Sequence, residues 1–316
     1  MEYSVFFFLI IFLCEIAAQR SWIGYMRSKH ISQVQKAYGT HIDDAIKEKV
    51  PSMGGAVFLL IGSGLLVSEI IRGDAEGMIF WCFPILSASV GLCDDILKFK
   101  SHSSEGLTSM QKFSLQTATV ILWFLLLVLN GKVPLLLPNL SIGHLIWPVA
   151  FFFAVGVQNS VNVTDGLDGL AAGACAISFA VLAYMGCTQR GGAIAGGAIS
   201  LAFLWHNCHP AKVFMGDVGA HFLAGLMASC AFMGSGVLIL VPSSIIFGLE
   251  MLSVVIQLIS IHKFKRKVFL MSPIHHHFQM LGWQEDTIVI RFWLIHALGC
   301  VLCALLFQSF INAFLL

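Results

Sequence analysis

The sequence predicts an all-α, polytopic membrane protein, which is indicated by its composition and by the spacing of its apolar runs. Of its 316 residues, 58% are hydrophobic and 11% are charged, whereas soluble domains carry about 25% charged residues. About ten apolar runs approach the roughly 17 to 25 residues that a membrane helix needs. The net charge of +1 argues against a nucleic-acid-binding protein, which would show a basic stripe, so no nucleic-acid partner is expected.

The apolar runs follow one another along the chain, and we expect residues 1–316 to form a single transmembrane domain. Arg20 follows the first run and no basic segment precedes it, so this run is interpreted as a retained helix rather than a signal peptide. Gly192 and Gly196 give the seventh run a small-residue face for close packing, and Pro242 and Gly248 predict a kink in the ninth. The predicted spans are Tyr3–Ala18, Met53–Ile71, Met78–Leu92, Phe113–Leu129, Ile142–Val157, Leu170–Met185, Ala193–Trp205, Ala220–Gly234, Val237–Ile261 and Phe292–Leu316.

Lys and Arg residues are distributed unevenly between the two sets of loops. The loops after the first, third, fifth, seventh and ninth spans, together with Arg291 at the start of the tenth, hold 15 of them. The loops of the opposite face hold three, namely Arg72, Lys132 and Arg190. Because basic residues concentrate in cytoplasmic loops, the first face is predicted to be cytoplasmic and both termini are predicted to lie outside.

Two adjacent carboxylates, Asp94 and Asp95, follow the third span and precede Lys98. A carboxylate within the membrane costs roughly 2.5–3.5 kcal/mol on insertion scales, so it persists where something compensates for it. A helix end with an i,i+4 pair between Asp94 and Lys98 is the structural alternative, but it leaves Asp95 unexplained. The two carboxylates therefore indicate a functional site at this edge of the membrane.

The loop after the fifth span is rich in amides and carboxylates and contains no Lys or Arg. On a helix, Asn162, Asp165 and Asp168 would share one face, while Gly166 and Gly169 allow a ligand to approach the backbone. An Asx-rich turn between two spans is the structural alternative, but a turn does not need two carboxylates and an amide on one face. Such a surface favours a cation, either a metal ion or the donor groups of a ligand.

Asp217 lies between two glycines, where the chain re-enters the membrane before the eighth span. Alone it is more typical of a helix N-cap than of a ligand. Together with four other aspartates on the same face, it becomes a candidate metal ligand. Oxygen ligands with little thiolate nearby suit Mg²⁺ or Mn²⁺, and Mg²⁺ commonly binds through one or two carboxylates plus substrate phosphates.

Three consecutive histidines, His275, His276 and His277, occupy the last predicted cytoplasmic loop. Adjacent residues in one loop rarely close on one zinc ion and no partners have zinc spacing, which favours a phosphate-bearing ligand. The basic cluster at 263–267 is explained by orientation and by anionic lipid headgroups. Carboxylates, basic groups and apolar walls together indicate phosphoryl transfer from a soluble donor to a membrane-embedded acceptor.

Five motifs resemble those of the phospho-N-acetylmuramoyl-pentapeptide transferase family, within the polyprenyl-phosphate N-acetylhexosamine-1-phosphate transferase superfamily. In chain order they are PSMGG at 51–55, DDxxK at 94–98, NVTDGLDGL at 162–170, FMGD at 214–217 and PIHHHF at 273–278. The resemblance implies a Mg²⁺-dependent reaction of UDP-N-acetylmuramoyl-pentapeptide with undecaprenyl phosphate that gives lipid I and UMP in peptidoglycan synthesis. It also implies a homodimer in the bacterial cytoplasmic membrane, with its active site facing the cytoplasm.

The resemblance further implies a role for each matching residue. Asp217 would bind Mg²⁺, and Asp94 would deprotonate the lipid phosphate or act as a covalent nucleophile. Phe214 would stack on uracil. The other catalytic positions implied are Asp95 and Lys112, and the other substrate-binding positions are Lys47, Ser52, Asn162, Asp165, Asp168, Asn207, Gln257, His275, His276 and His277.

Two positions depart from the family pattern. Ser52 stands where the family usually has Thr, so the hydroxyl is retained. Ala220-His221 follows Asp217-Val-Gly219 where the family usually continues with Ser. If that serine helps to arrange the metal site, its role is missing here or passes to His221.

Three other functions are weighed against this one. A transferase that moves N-acetylglucosamine-1-phosphate to the same lipid shares the aspartate motifs, but its histidine motif differs. An aspartate-rich membrane prenyltransferase would need paired DxxxD-like motifs, which only one run here approaches. An ion-coupled transporter would carry carboxylates along a path across the membrane, whereas within the predicted spans we find mainly Glu15, Glu69 and Glu250.

Overall fold

The computed structural model describes residues 2–29, 50–101, 103, 105–185 and 190–314. Within those ranges the chain is helical and forms no β-strand, which confirms the all-α prediction. Short 3-10 turns at Gly143–Leu145 and Val237–Ile239 precede two of the helices. The helices are α1 (Glu2–Ser28), α2 (Ala56–Arg72), α3 (Ala75–Ser101), α4 (Ser109–Leu129), α5 (Ile146–Thr164), α6 (Leu170–Tyr184), α7 (Arg190–Asn207), α8 (Gly216–Phe232), α9 (Leu240–Ser243), α10 (Ile245–Phe264), α11 (Ile274–Met280) and α12 (Glu285–Phe314).

Among the described residues, six helices are long and apolar enough to cross a membrane by length and composition. They are α1, α3, α4, α5, α10 and α12, and each overlaps one of the predicted spans. Large apolar side chains on these helices face outward, for example Leu298 and Phe152, which are 64% and 71% exposed. Because such surface is stable only in an apolar solvent, the protein is a membrane protein.

Several predicted spans have different boundaries in the structure; for example, α1 continues to Ser28 and α12 begins at Glu285. The third was predicted to end at Leu92, but α3 continues to Ser101 and therefore includes the adjacent aspartates. Their charge is tolerated within the helix because Lys98 lies one turn further along. The ninth was predicted to be kinked, and the helix does break within it, at Ser244, whose φ of −132° is not helical. The new helix begins where the Ile246 N–H donates to the His296 ring at 3.2 Å.

The helix α8 is the centre of the bundle, and every residue from Val218 to Phe232 is buried. Its small residues allow neighbouring backbones to approach closely, which is how helices pack where lipid removes the hydrophobic driving force. A Cβ atom at Gly225 would stand 2.9 Å from the Pro84 Cα of α3, and one at Gly91 would stand 2.2 Å from the Asp217 carbonyl oxygen. The helices α3 and α8 therefore touch backbone to backbone.

The segment before α2 pairs with the segment before α8. The Phe214 N–H donates to the Pro51 carbonyl at 2.8 Å, and the Gly54 N–H donates to the Phe214 carbonyl at 2.9 Å. A Cβ atom at Gly55 would stand 2.1 Å from the Gly219 Cα. This contact fixes the chain that leads to Asp217 against the start of α2.

Candidate active site

Three carboxylates meet where α3 and α8 come together. Each of Asp94, Asp95 and Asp217 offers an oxygen within 4.8 Å of the oxygens of the other two. The first two are buried, and the side chain of Asp217 is 15% exposed. Like charges at this separation repel one another, so neighbouring groups must compensate for them.

Asp95 is compensated by the first turn of α8. Its Oδ1 accepts a hydrogen bond from the Asp217 N–H at 3.2 Å, and its Oδ2 accepts one from the Val218 N–H at 3.0 Å. These are amide groups without partners inside the helix, and the helix dipole favours a negative charge at this end. Gly216, whose φ is +74°, leads into this turn, and a Cβ there would stand 2.7 Å from Asp95 Oδ2.

Two lysines compensate for the other carboxylates. The Lys98 Nζ lies 2.6 Å from Asp94 Oδ2 and 3.1 Å from Asp217 Oδ2. The Lys112 Nζ, from α4, lies 2.5 Å from the same Asp217 oxygen. Although burial disfavours the charge of Asp217, Lys112 and Lys98 hold its pKa well below its usual value. Asp217 is therefore an anion in the folded protein, as a metal ligand must be.

Two further contacts complete this centre. The Asn162 amide, from the last turn of α5, donates to Asp217 Oδ1 at 2.9 Å. The Leu107 N–H, from the loop between α3 and α4, donates to Asp94 Oδ1 at 2.7 Å. Side chains or backbone from α3, α4, α5 and α8 thus converge on one group of carboxylates, although the sequence separates Asp94 from Asp217 widely. Hard oxygen ligands of this kind suit Mg²⁺.

The loop between α5 and α6 does not present Asn162, Asp165 and Asp168 on one helix face, because α5 ends at Thr164. That expectation was wrong, since the glycines of the run favour a turn over a further helical turn. Asp165 lies next to the carboxylates above. Burial and then the negative charges of Asp217 and Asp95 raise its pKa to about 8.

Asp168 belongs to a second group of polar side chains. Its Oδ2 accepts hydrogen bonds from the Ala211 N–H at 3.0 Å and lies 3.1 Å from the His209 ring, while its own N–H donates to Glu285 Oε1 at 2.7 Å. Asn207 also contacts this loop, because its Oδ1 accepts a hydrogen bond from the Gly169 N–H at 3.1 Å. Asp168 and Asn207 therefore join three segments of the chain.

Four other sequence candidates are placed differently. Ser52 and Phe214, both half-buried, lie on the paired segments before α2 and α8, and Phe214 precedes Asp217 by three residues. Lys47 lies outside the described residues. The Gln257 amide holds the loop after α10, since it accepts from the Phe269 N–H at 3.0 Å and donates to the Phe269 carbonyl at 2.9 Å. The side-chain amide of Gln257 is thus hydrogen-bonded to the backbone of this loop and does not contact the central carboxylates.

The three histidines lie on the short helix α11, and each has different surroundings. The His275 side chain is 1% exposed, and its Nδ1 lies 3.1 Å from Glu250 Oε1. The His276 ring meets the Gln279 side chain at 2.7 Å, and His277 accepts a hydrogen bond from the Leu270 N–H at 3.2 Å. The three rings therefore have different polar partners, although the His275 and His276 rings pack against each other with their centroids 4.2 Å apart.

His221 occupies the position next to the departure from the family pattern. Its Nδ1 donates to the Asp217 carbonyl at 2.9 Å, and its Nε2 lies 3.1 Å from the Gln116 amide nitrogen. Gln116 also exchanges hydrogen bonds with Asn159 of α5. His221 thus anchors the first turn of α8 through a chain of buried polar side chains. Ala220, which stands where the family usually has Ser, has no hydroxyl group to make such a contact.

The geometry adds residues that were not named as site candidates. Lys98 was noted only as a helix-end partner of Asp94, although its i+4 spacing was the available signal. Glu250 was noted only as a carboxylate within a span, and its pairing with His275 had no local signal. Because partners such as His209 and Glu285 are distant in sequence, only the tertiary packing brings them together.

The sequence matches known proteins over nearly its whole length. Residues 78–235 match the family described as glycosyl transferase family 4. The chain is 33% identical to the phospho-N-acetylmuramoyl-pentapeptide-transferase of Rubrobacter xylanophilus over 96% of both chains. It is 36% identical to that of Desulforamulus reducens over 98% of both chains. It is also 33% identical to that of Chlamydia abortus, over 92% of this chain and 93% of the other. This chain belongs to the phospho-N-acetylmuramoyl-pentapeptide-transferase family.

Proposed function

We propose that this protein transfers phospho-N-acetylmuramoyl-pentapeptide from its UDP conjugate to undecaprenyl phosphate, giving lipid I and UMP in peptidoglycan synthesis. The observation that carries the proposal is the convergence of Asp94, Asp217 and Lys112 on one centre of a membrane protein. Anionic ligands and cationic side chains held together in this way suit the positioning and charge neutralisation that phosphoryl transfer needs. The relatives' names supply the class of donor.

Mg²⁺ is the proposed cofactor, with Asp217 as its protein ligand. The donor set fits this ion, because three carboxylates lie within reach of one another and Mg²⁺ takes hard oxygen ligands. Both oxygens of Asp95 accept from backbone N–H groups of α8, whereas Asp94 and Asp217 are each paired with a lysine side chain, which can turn aside for a ligand. Asp217 and Asp94 are therefore the carboxylates proposed to face a ligand. When bound, Mg²⁺ would neutralise charge on the reacting phosphates.

Asp94 is the proposed reactive carboxylate. It either takes the proton of the lipid phosphate, whose oxygen then attacks the donor pyrophosphate and displaces UMP, or attacks the pyrophosphate itself. In the second case UMP leaves first, and the lipid phosphate then displaces Asp94 from the phosphosugar. The two oxygens of Asp94 are held by the Leu107 N–H at 2.7 Å and by Lys98 at 2.6 Å, so its orientation is set before a substrate arrives. Lys98 and Lys112 present two ammonium groups to the incoming phosphates.

The donor is proposed to bind beside this centre. Phe214 would stack on uracil, and Asp165 and Asp168 would contact the nucleoside, as would Lys47, Ser52 and Asn207. The three histidines would contact the donor's phosphates or sugar. The proximity of Asp165 to Asp217 supports a donor that extends from the 165–169 loop to the carboxylates.

The membrane arrangement is also a proposal. The six long apolar helices support a multi-pass protein, and shorter helices such as α6 and α8 would complete about ten spans in one domain. The distribution of Lys and Arg supports termini outside and an active site facing the cytoplasm, here of a bacterial inner membrane. A homodimer is proposed from the resemblance.

A donor-selectivity assay tests this function. Detergent-purified protein with Mg²⁺ and undecaprenyl phosphate is expected to release UMP from UDP-N-acetylmuramoyl-pentapeptide but not from UDP-N-acetylglucosamine. The reverse preference would assign the chain to the N-acetylglucosamine-1-phosphate transferases, although the histidine run weighs against that branch. Release of UMP from neither donor would refute the transferase class.

A further inference from the structure

Glu250, on α10, is a carboxylate within an apolar helix and has no exposed surface. The nearest ionisable group is His275 of α11, whose Nδ1 lies 3.1 Å from Glu250 Oε1. Neither Glu250 oxygen and neither His275 ring nitrogen has a hydrogen-bond partner among the described residues, so the two groups lie in contact without the alignment of a hydrogen bond. Since burying a carboxyl group without a polar partner is costly, the contact with His275 compensates for the burial of Glu250.

The other nitrogen of the His275 ring faces the loop between α5 and α6. A Cβ atom at Gly166 would stand 2.3 Å from His275 Nε2. This nitrogen is buried and has no hydrogen-bond partner among the described residues. Gly166 lies between Asp165 and Asp168, so Nε2 is directed at the loop to which donor binding is assigned above.

We propose that Glu250 is a positioning residue for His275, an inference that rests on the proposed function. At 3.1 Å the carboxylate is placed to accept the Nδ1–H once the ring aligns with it, which would set the tautomer and direct Nε2 toward the donor's phosphates or sugar. A carboxylate behind a functional histidine acts in this way in metal sites, where its loss costs roughly 10- to 100-fold in affinity or activity. The pair also connects α10, a membrane helix, to the donor side of the site.

Three variants test this inference. Glu250→Gln keeps an acceptor oxygen in place, whereas Glu250→Leu removes it, and Glu15→Leu is a matched control because Glu15 is likewise fully buried in a membrane helix. We expect Glu250→Leu to lower kcat for UMP release roughly 10- to 100-fold, with KM for undecaprenyl phosphate unchanged. Glu250→Gln should retain most of the activity, and Glu15→Leu should retain kcat.

The outcomes separate this inference from the proposed function. An inactive wild-type protein would refute the proposed function, and the positioning role of Glu250 would be refuted with it. An active wild type with equal kcat in Glu250→Leu would overturn the positioning role. Equal loss in the Gln and Leu variants would also overturn it, because an acceptor oxygen would then not be what matters. Thermal melting in detergent identifies any variant that fails to fold, and Glu250→Gln then decides the result.

A separate cavity of about 420 Å³ lies between α1 and the end of α7. Its lining combines an apolar wall with the basic side chains of Arg20, Arg27 and Lys212, and no carboxylate of the described residues lines it. His206 also lines it, is 9% exposed, and its Nε2 has no hydrogen-bond partner among the described residues. Trp205, at the rim, is 68% exposed and is typical of a membrane interface.

This geometry points to a binding site for a phosphate-bearing anion, which we assign to the headgroup of an anionic phospholipid. The phosphate would meet the arginines and His206, and the acyl chains would follow the apolar wall beside Trp205. Charge complementarity favours a phosphodiester over a zwitterionic headgroup, whose amine would repel the cations. The inference is independent of the transferase chemistry, because none of these residues touches the carboxylates described above.

Lipid retention measured by native mass spectrometry tests the second inference. Purified protein is mixed with phosphatidylglycerol or phosphatidylcholine, and Arg20→Gln/Arg27→Gln is compared with Lys132→Gln, a basic control away from the cavity. We expect wild type to prefer phosphatidylglycerol and the double variant to lose about 30-fold in affinity, since each basic residue contributes about fivefold. Equal retention in both variants would overturn the site. Equal competition by millimolar inorganic phosphate would assign it to free phosphate instead of a lipid.

Discussion

Gly91→Ala is expected to separate the two helices that carry the central carboxylates. The new Cβ would stand 2.2 Å from the Asp217 carbonyl oxygen and 2.6 Å from the Val218 nitrogen, whereas carbon-to-oxygen contacts of this kind are about 3.3 Å. Both obstacles are backbone atoms, so no side-chain rotation relieves the contact, and α3 must move away from α8 by about 1 Å. That movement lengthens the contacts of Asp94 and Lys98 with Asp217.

A misplacement of about 1 Å costs roughly 100-fold in rate, so kcat for UMP release by Gly91→Ala should fall by about that factor. Gly64→Ala, in α2, is the matched control, because a Cβ there meets nothing within 4 Å. Alanine is favoured over glycine inside a helix by about 1 kcal/mol, so helix propensity cannot explain a loss in either variant. If Gly91→Ala retained kcat within threefold of the control, the backbone contact would not control the site.

Three further outcomes follow from the carboxylate centre. Asp217→Asn should abolish UMP release together with its Mg²⁺ dependence, and normal turnover would remove Asp217 from the metal role. Lys112→Gln should lower kcat roughly 100- to 1,000-fold, the range for losing one donor to developing charge, and a loss under fivefold in a coupled assay would contradict its position beside the phosphates. The pKa of Asp165 is raised to about 8 in the folded protein, against about 3.9 in an unfolded chain. The free energy of unfolding therefore falls as the pH rises from about 4 to about 8, and the full loss is present above pH 8. Asp165→Asn should therefore raise Tm in metal-free detergent more at pH 8.5 than at pH 5.5, and a difference in Tm that is constant with pH would refute the raised pKa.

Local features of the sequence predicted the helical class and most residues of the central cluster. The adjacent carboxylates Asp94 and Asp95 were singled out because a membrane edge penalises unpaired charge. Asp217 was recognised from the glycines beside it and the aspartates elsewhere in the chain. These signals are local, since composition, apolar run length and neighbouring residues are enough to detect them.

The rest of the site depends on tertiary packing. The run from Asn162 to Asp168 has a helical spacing, but the helix ends at Thr164 because the glycines allow a turn at no steric cost. Gln257 was a candidate for substrate binding, yet its amide is satisfied by the loop after α10. The partner of Glu250 could not be read from its neighbours in the chain, because α11 approaches α10 only after an intervening loop.

The complete enclosure of α8 has a consequence for the membrane in which this enzyme works. Bilayers differ in hydrocarbon thickness, and a helix that touches lipid adapts by tilting or by deforming the bilayer around it. Every residue of α8 from Val218 to Phe232 touches protein instead. The outer helices can therefore adjust their length and tilt to a thicker or thinner bilayer, while the helix that carries Asp217 keeps its depth and angle.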